Sequence, residues 1–303
     1  MVDFRRVEGG LVTGLFTDHH VHLQLVDHTL LAGSRIGRVV DLGANPEWIA
    51  GVARHDSGDP HGSAPEMPDA AADGPESPEL RRTIVEYAGA FLTAPGGYPS
   101  DRAWAPEGSV REITDAAHAA TAVDELAAGG ASVIKVVAHS DAGPVLDDDT
   151  FAAIVRAAKA HGLPVVAHAE GAGQAQRAAR LGANRLAHTP FTERLDDDEI
   201  ARQAASVEWI STLAIHDGGE RATAIDNLRR FAAAGGTVLY GTDMGNGDTP
   251  VDLRESELTA LREAGVDGIR LLTALAPTGA DRLFLPEGDP ARARLLTPAD
   301  LEA

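Results

Sequence analysis

The feature that most constrains this chain is a repeating rhythm. Short β-branched runs recur, and each is followed by an alanine-rich helical pattern. The clearest unit opens at Ser132-Val133-Ile134-Lys135-Val136-Val137. Asp148 then offers an N-cap for a helix near 149–161, with Phe151, Ile154, Val155 and Ala158 on one face and Gly162 at its end. Leu163-Pro164-Val165-Val166-Ala167-His168 follows as a strand, then a helix near 172–181, then a strand at Asn184-Arg185-Leu186-Ala187-His188. Consecutive βα units imply parallel strands. The same reading along the whole chain predicts strands near 15–22, 37–42, 82–88, 132–137, 164–168, 185–188, 208–213 and 237–242. Eight such strands suggest a closed (β/α)₈ barrel, which needs roughly 250 residues. A doubly wound sheet is the alternative, because strand order is not visible in sequence.

Two segments stand apart from the rhythm. Ser109-Val110-Arg111-Glu112 has the form of a capping box and predicts a helix near 110–128. Residues 53–79 carry five prolines among Gly, Asp and Ala, which predicts a disordered insertion or a lid. No second domain is visible, so residues 1–303 read as one barrel domain.

Composition narrows the chemistry. With no cysteine among 303 residues, any metal must be held by nitrogen and oxygen ligands. The 26 Lys+Arg against 46 Asp+Glu give a formal charge of −20, the wrong sign for nucleic acid or an anionic membrane as the main partner. No stretch reaches the roughly 18 apolar residues of a membrane span, and no secretory leader is evident, so the expectation is a cytoplasmic protein acting on a small molecule. A homo-oligomer is compatible with this reading.

The chemistry-bearing residues fall at one relative place in the βα units. The first strand reads Phe16-Thr17-Asp18-His19-His20-Val21-His22-Leu23. Residues two apart share a face of a strand, so His20 and His22 point together and His19 points away. His168 and His188 close two later strands, and Asp243 follows the last in Tyr240-Gly241-Thr242-Asp243. Strand C-terminal ends of a barrel converge on one face, where active sites are built. Lys135 lies inside an apolar strand, where an ammonium is costly and its pKa depressed. A neutral amine there can add carbon dioxide and become a carbamate with two ligand oxygens. Tyr98, after Gly96-Gly97, and His139 and His216, in loops after strands, are candidate substrate contacts, with Asn246 and Asp248 as weaker candidates for specificity.

The order HxH, Lys, His, His, Asp resembles the amidohydrolase superfamily, and more narrowly its imidazolonepropionase-like, Xaa-Pro-dipeptidase-related group. The matching stretches are 17–23, 133–136, 162–169 and 241–243, with looser matches at 40–43 and 92–98. The resemblance implies a distorted (β/α)₈ barrel with a binuclear metal site, usually zinc. His20, His22 and Asp243 would hold one ion and His168 and His188 the other, with carboxylated Lys135 bridging. It implies hydrolysis of an amide, cyclic amide or dipeptide-like C–N bond by a metal-bridging hydroxide, with Asp243 moving the proton. Lactone or phosphoester hydrolysis on the same metals, and a barrel that binds a ligand without catalysis, are the alternatives. Two departures stand out. The β-sandwich usual in the superfamily is missing or vestigial here, and Tyr98 occupies the place where the group usually has a histidine.

Overall fold

The computed structural model describes residues 4–57 and 82–296. In chain order the elements are β1 (Phe4–Val7), β2 (Gly10–Val21), β3 (Ile36–Asp41), α1 (Pro46–Ser57), β4 (Ile84–Tyr87), β5 (Phe91–Thr93), β6 (Val110–Glu112) and α2 (Ala116–Ala128). Next come β7 (Ile134–His139), α3 (Asp148–Ala160), β8 (Val165–Glu170), α4 (Gln174–Arg180), β9 (Arg185–Leu186), α5 (Asp197–Ala204), β10 (Glu208–Ile210) and α6 (Gly218–Ala233). The chain finishes with β11 (Val238–Leu239), α7 (Glu255–Glu263), α8 (Ile269–Ala274), β12 (Thr278–Pro286) and β13 (Arg294–Leu295).

The strands form two sheets. In one, β2, β3 and β4 run parallel. In the other, β11, β10, β9, β8, β7 and β5 are consecutive parallel neighbours, and β6 pairs with β5. A single closed ring of strands, as the sequence predicts, is not what the ladder traces. Between β4 and β5 the chain leaves the extended region at Gly89, φ 74°, and the ladder changes sheet there. On the other side, β2 meets the segment after β11 through isolated bonds: His19 N–H to Tyr240 O (2.9 Å) and His22 N–H to Met244 O (2.7 Å).

Two apolar clusters follow from this layout. A small one holds Val40, Leu42, Ala88, Val133, Val166, Ala187, Ile210 and Leu239, each from a different point along the parallel strands or their ends. The larger one lies between strands and helices. Close packing there rests on small residues and a few rings, such as Trp209 stacked on Phe231 at 3.8 Å. With aromatics at 4% of the chain, alanine supplies the fit of helix onto sheet.

The antiparallel strands β1, β12 and β13 extend the first half of β2 into a small flank. Segments near both ends of the chain therefore meet in a short antiparallel layer where the sequence reading expected little or nothing.

Three local expectations need correction. Residues 110–112 are a strand, not the start of a helix; Val110 and its neighbours pair with β5. The helix starts later because Asp115 is the stronger cap, its carboxylate accepting from Ala117 N–H and His118 N–H, both at 2.9 Å. For α3 the cap is Asp147, which accepts from Thr150 N–H at 2.7 Å, and Asp148 is already helical. Residues 53–57 belong to α1 rather than to a loop; the rest of the proline-rich segment, 58–79, lies outside the described residues. No described helix is long and apolar enough to cross a membrane.

Candidate metal centre

The site is assembled from β2 outward. Asp18 is fully buried and ties two segments together. Its carboxylate accepts from His20 N–H (3.0 Å), Thr242 N–H (3.1 Å) and the Thr242 hydroxyl (2.6 Å). Burial nonetheless pushes its pKa up to about 7, against those hydrogen bonds. Asp18 thus brings the HxH strand against the turn that carries Asp243. Gly241 permits the approach: a Cβ there would meet Ile210 Cγ2 at 2.3 Å and His20 Cβ at 3.1 Å. Asp243 itself has φ 54°, a strained left-handed conformation for a residue with a side chain.

His20 and His22 face the same way, as strand alternation requires. Each has its Nδ1 on a carbonyl: His20 on Ala187 O (2.8 Å) and His22 on Gly43 O (3.1 Å). A carbonyl only accepts, so both Nδ1 atoms carry the proton and both Nε2 atoms present lone pairs. Those Nε2 atoms lie 3.1 and 3.2 Å from Asp243 Oδ1. His20 Nε2 is buried with no hydrogen-bond partner. Two imidazole lone pairs and a carboxylate oxygen converging without a proton repel one another, and a cation placed among them removes the repulsion. Asp243 is held ionised: burial alone would raise its pKa, but His20, His22 and His188 take it well below the usual carboxylate range. Its other oxygen accepts from Asn246 Nδ2 at 2.8 Å.

The second group lies across the same cavity. His168, on β8, puts Nε2 3.0 Å from Glu170 Oε2. The carboxylate fixes that nitrogen as the donor and leaves Nδ1 with a lone pair, 3.0 Å from His188 Nε2. His188 sets its own Nδ1 against the Thr212 hydroxyl at 2.9 Å. Thr212 has φ 43°, and its loop is pinned by buried Glu257, which accepts from Leu213 N–H (3.0 Å) and Ala214 N–H (2.7 Å). Glu170 went unnoticed in the sequence, although its position two residues after His168 on one strand face was the available signal. It also lies 3.3 Å from His139 Nε2. Ligand atoms of His20, His22 and Asp243 fall within 4.8 Å of one another, as do those of His139, His168 and Glu170.

Lys135, on β7, is 1% exposed and lines the cavity with the residues above. Burial draws its ammonium down to about 8, against the opposing pull of Asp243 and Asp41. The cavity has a volume of about 410 Å³. Tyr98 and His216 line it as well, while His139 stands behind, its ring 4.9 Å from that of Tyr98. Burial, with Asp243 and Glu170 nearby, pushes the Tyr98 hydroxyl up to about 12. Burial lowers His216 to about 4, so its ring is neutral near pH 7. Asp248 is not among the lining residues. His19 points away from the others, buried, with neither ring nitrogen partnered.

Comparison with solved structures decides the fold. A Xaa-Pro dipeptidase with methionine bound in its active site superposes with a TM-score of 0.62 at 16% identity, over 87% of this chain and 73% of the other. The ochratoxinase of A. niger gives 0.65 at 14% identity, over 90% and 73%. A prolidase complexed with N-methylphosphonate-L-proline gives 0.60 at 19% identity, over 91% and 76%. This chain has the amidohydrolase fold. No family model and no curated protein matches its sequence. Within the amidohydrolase fold, residues from the first parallel strand to the last turn arrive at one cavity, although 223 positions separate His20 from Asp243.

Proposed function

We propose that this protein is a metal-dependent hydrolase of amide-type C–N bonds, with a barrel-like arrangement of its eight parallel strand segments around the site. The observation that carries the proposal is the convergence of His20, His22 and Asp243 with Lys135 and the His168–His188 pair in one cavity. His20, His22 and Asp243 would hold one divalent ion, and His168 and His188 a second. Lys135, carboxylated, would supply an oxygen to each. Zinc suits a set of imidazoles and carboxylates without sulfur, as do manganese, cobalt and iron. Divalent ions so held supply an acidified water and a Lewis acid for the scissile carbonyl.

The chain's own residues do the rest. Near neutral pH the depressed Lys135 amine has a substantial neutral fraction. Its Nζ can attack carbon dioxide, forming the N–C bond and releasing one proton. Asp243, fixed by Asn246, accepts the proton of the attacking water at its carboxylate and returns it to the leaving nitrogen. Tyr98, protonated throughout the working range, can donate to the substrate carbonyl oxygen. The rings of Phe91, Tyr98 and Phe191 keep the site dry. Substrates of the structural relatives, such as prolyl dipeptides and ochratoxin, mark the class of bond to try first.

The test measures metal per chain in the purified protein and turnover of a panel of aryl amides and dipeptides, with and without chelator. Close to two ions per chain and chelator-sensitive amide hydrolysis are expected. Absence of both would overturn the reading.

A further inference from the structure

The charge around the mouth of the cavity bears on what the substrate carries away from its reacting bond. Among the described residues lining it, Lys135 is the sole lysine or arginine, and it sits at the buried base beside Asp243. Farther out the ionisable lining residues are Glu170 and Glu220. Two arginines lie nearby, and neither lines the cavity. Arg102 lies over the Tyr98 ring at 5.4 Å and 3.4 Å from Asp101. Arg254 is occupied by the carbonyls of Ala214 and Thr242.

His216 lies by both glutamates. Its Nδ1 is 3.8 Å from Glu220, and it is close enough to Glu170 for the two to interact electrostatically. The residue is 8% exposed, and its Nε2 is buried with no partner. The apolar lining here is aromatic: Tyr98 and Trp104 have centroids 6.0 Å apart, and Trp104 is 41% exposed, at the opening. A carboxylate on the substrate would find no cationic side chain at this end. It would meet two carboxylates and the negative faces of the rings. A cation meets attraction from both.

We propose, building on the hydrolase reading above, that the cavity selects amides whose end distal to the scissile bond is an organic cation, seated between Glu170, Glu220 and the rings of Tyr98 and Trp104, and discriminates against a free carboxylate there. The selection comes from the chain's side chains and does not depend on which metal is bound. Lengthening or bulk at the cationic end is tolerated, because Trp104 stands at the opening.

The experiment has two arms. In the first, the metal-loaded protein is assayed on phenylalanine p-nitroanilide and its N-acetyl and N-succinyl derivatives, which present a cation, a neutral group and an anion. The expected order of kcat/KM is cation, neutral, anion, with at least a tenfold span. Glu220→Lys should invert the order of the charged pair, and Glu220→Gln should compress it. In the second arm, calorimetry compares phenethyltrimethylammonium, which has no lone pair to give a metal, with 2-phenylethanol. The cation should bind at least fivefold more tightly, and Glu220→Lys should abolish the difference. Equal binding of the two, or fastest turnover of the succinyl anilide, overturns the inference. Selective cation binding without hydrolysis of any anilide supports the inference and counts against the hydrolase reading instead.

Discussion

At the scale of single residues, this site is a set of fixed tautomers. Carbonyls of Ala187 and Gly43 hold protons on the Nδ1 atoms of His20 and His22, and Glu170 holds one on Nε2 of His168. Each ring then offers its remaining lone pair inward, which is what second-shell acceptors do for metal ligands. Asp243 has two tasks in the proposed reaction, as ligand and as proton carrier, and they can be separated. Asp243→Asn keeps a ligand oxygen and loses the basic one. It should lower kcat by about 100-fold or more while metal content falls much less; kcat near wild type in that variant would remove the proton-carrying role. Lys135→Ala should lose most activity and regain part of it with added formate or acetate, since a free carboxylate can stand where the carbamate would. Full activity without rescue would strike the carbamate from the account. His19 tests burial rather than catalysis. Burial, with Arg185 and Arg38 near, lowers its pKa from 6.5 to about 3. The unfolded chain therefore binds about one more proton than the folded one between those values, so this residue's contribution to stability is present above pH 6.5 and is lost as pH falls toward 3. Urea denaturation between pH 4.5 and 7.5 should show a shallower pH dependence in His19→Gln than in wild type. Identical slopes would mean that His19 does not titrate in this way.

Elements carry these residues, and their caps decide where they begin. Asp115→Ala removes both side-chain bonds that start α2 and should cost about 1 kcal/mol, read as a lower denaturation midpoint with an unchanged slope. No change in midpoint would mean that water replaces the cap at no cost. This helix also shows where sequence reasoning reaches its limit. The parallel strands were legible because β-branched runs such as Val133–Val137 need no partner to be recognised, and the HxH spacing set which imidazoles share a face. The start of α2 was misread because the S-x-x-E pattern at 109–112 is local, whereas the pairing of Val110–Glu112 with β5 is not. Glu170 was missed for a similar reason. Its role exists only once β7 places His139 beside it, 3.3 Å away. The change of sheet between β4 and β5 hangs on the backbone at Gly89, and Gly in a sequence does not announce the sign of φ. The capping of β2 by β1, β12 and β13 was hidden because it joins segments more than 250 residues apart.

For the molecule as a whole, the candidate centre is also a fastener. His20 and His22 come with β2, His168 with β8, His188 from the loop after β9, and Asp243 from the turn after β11. The two sheets share no continuous ladder, and isolated backbone bonds at Tyr240 and Met244 join β2 to that turn. Ions shared among these side chains would tie together segments from both sheets, in a chain whose charge of −20 draws cations in and strains the compact state by self-repulsion. Anything that binds the folded chain and not the unfolded one stabilises it by mass action, about 4 kcal/mol when free ligand exceeds its dissociation constant a thousandfold. For a domain of this size, that corresponds to a shift on the order of 10 °C. Chelator should therefore lower the thermal midpoint by about that amount, and added zinc should restore it. In His20→Ala and His168→Ala the effect should shrink, because each removes a ligand of one of the two ions. Acid should mimic chelator, since burial already keeps His20 and His188 neutral and protonating them to release the ions needs a pH well below 6.5. A midpoint indifferent to chelator in the wild type would mean that these side chains hold the sheets together by packing and hydrogen bonds alone.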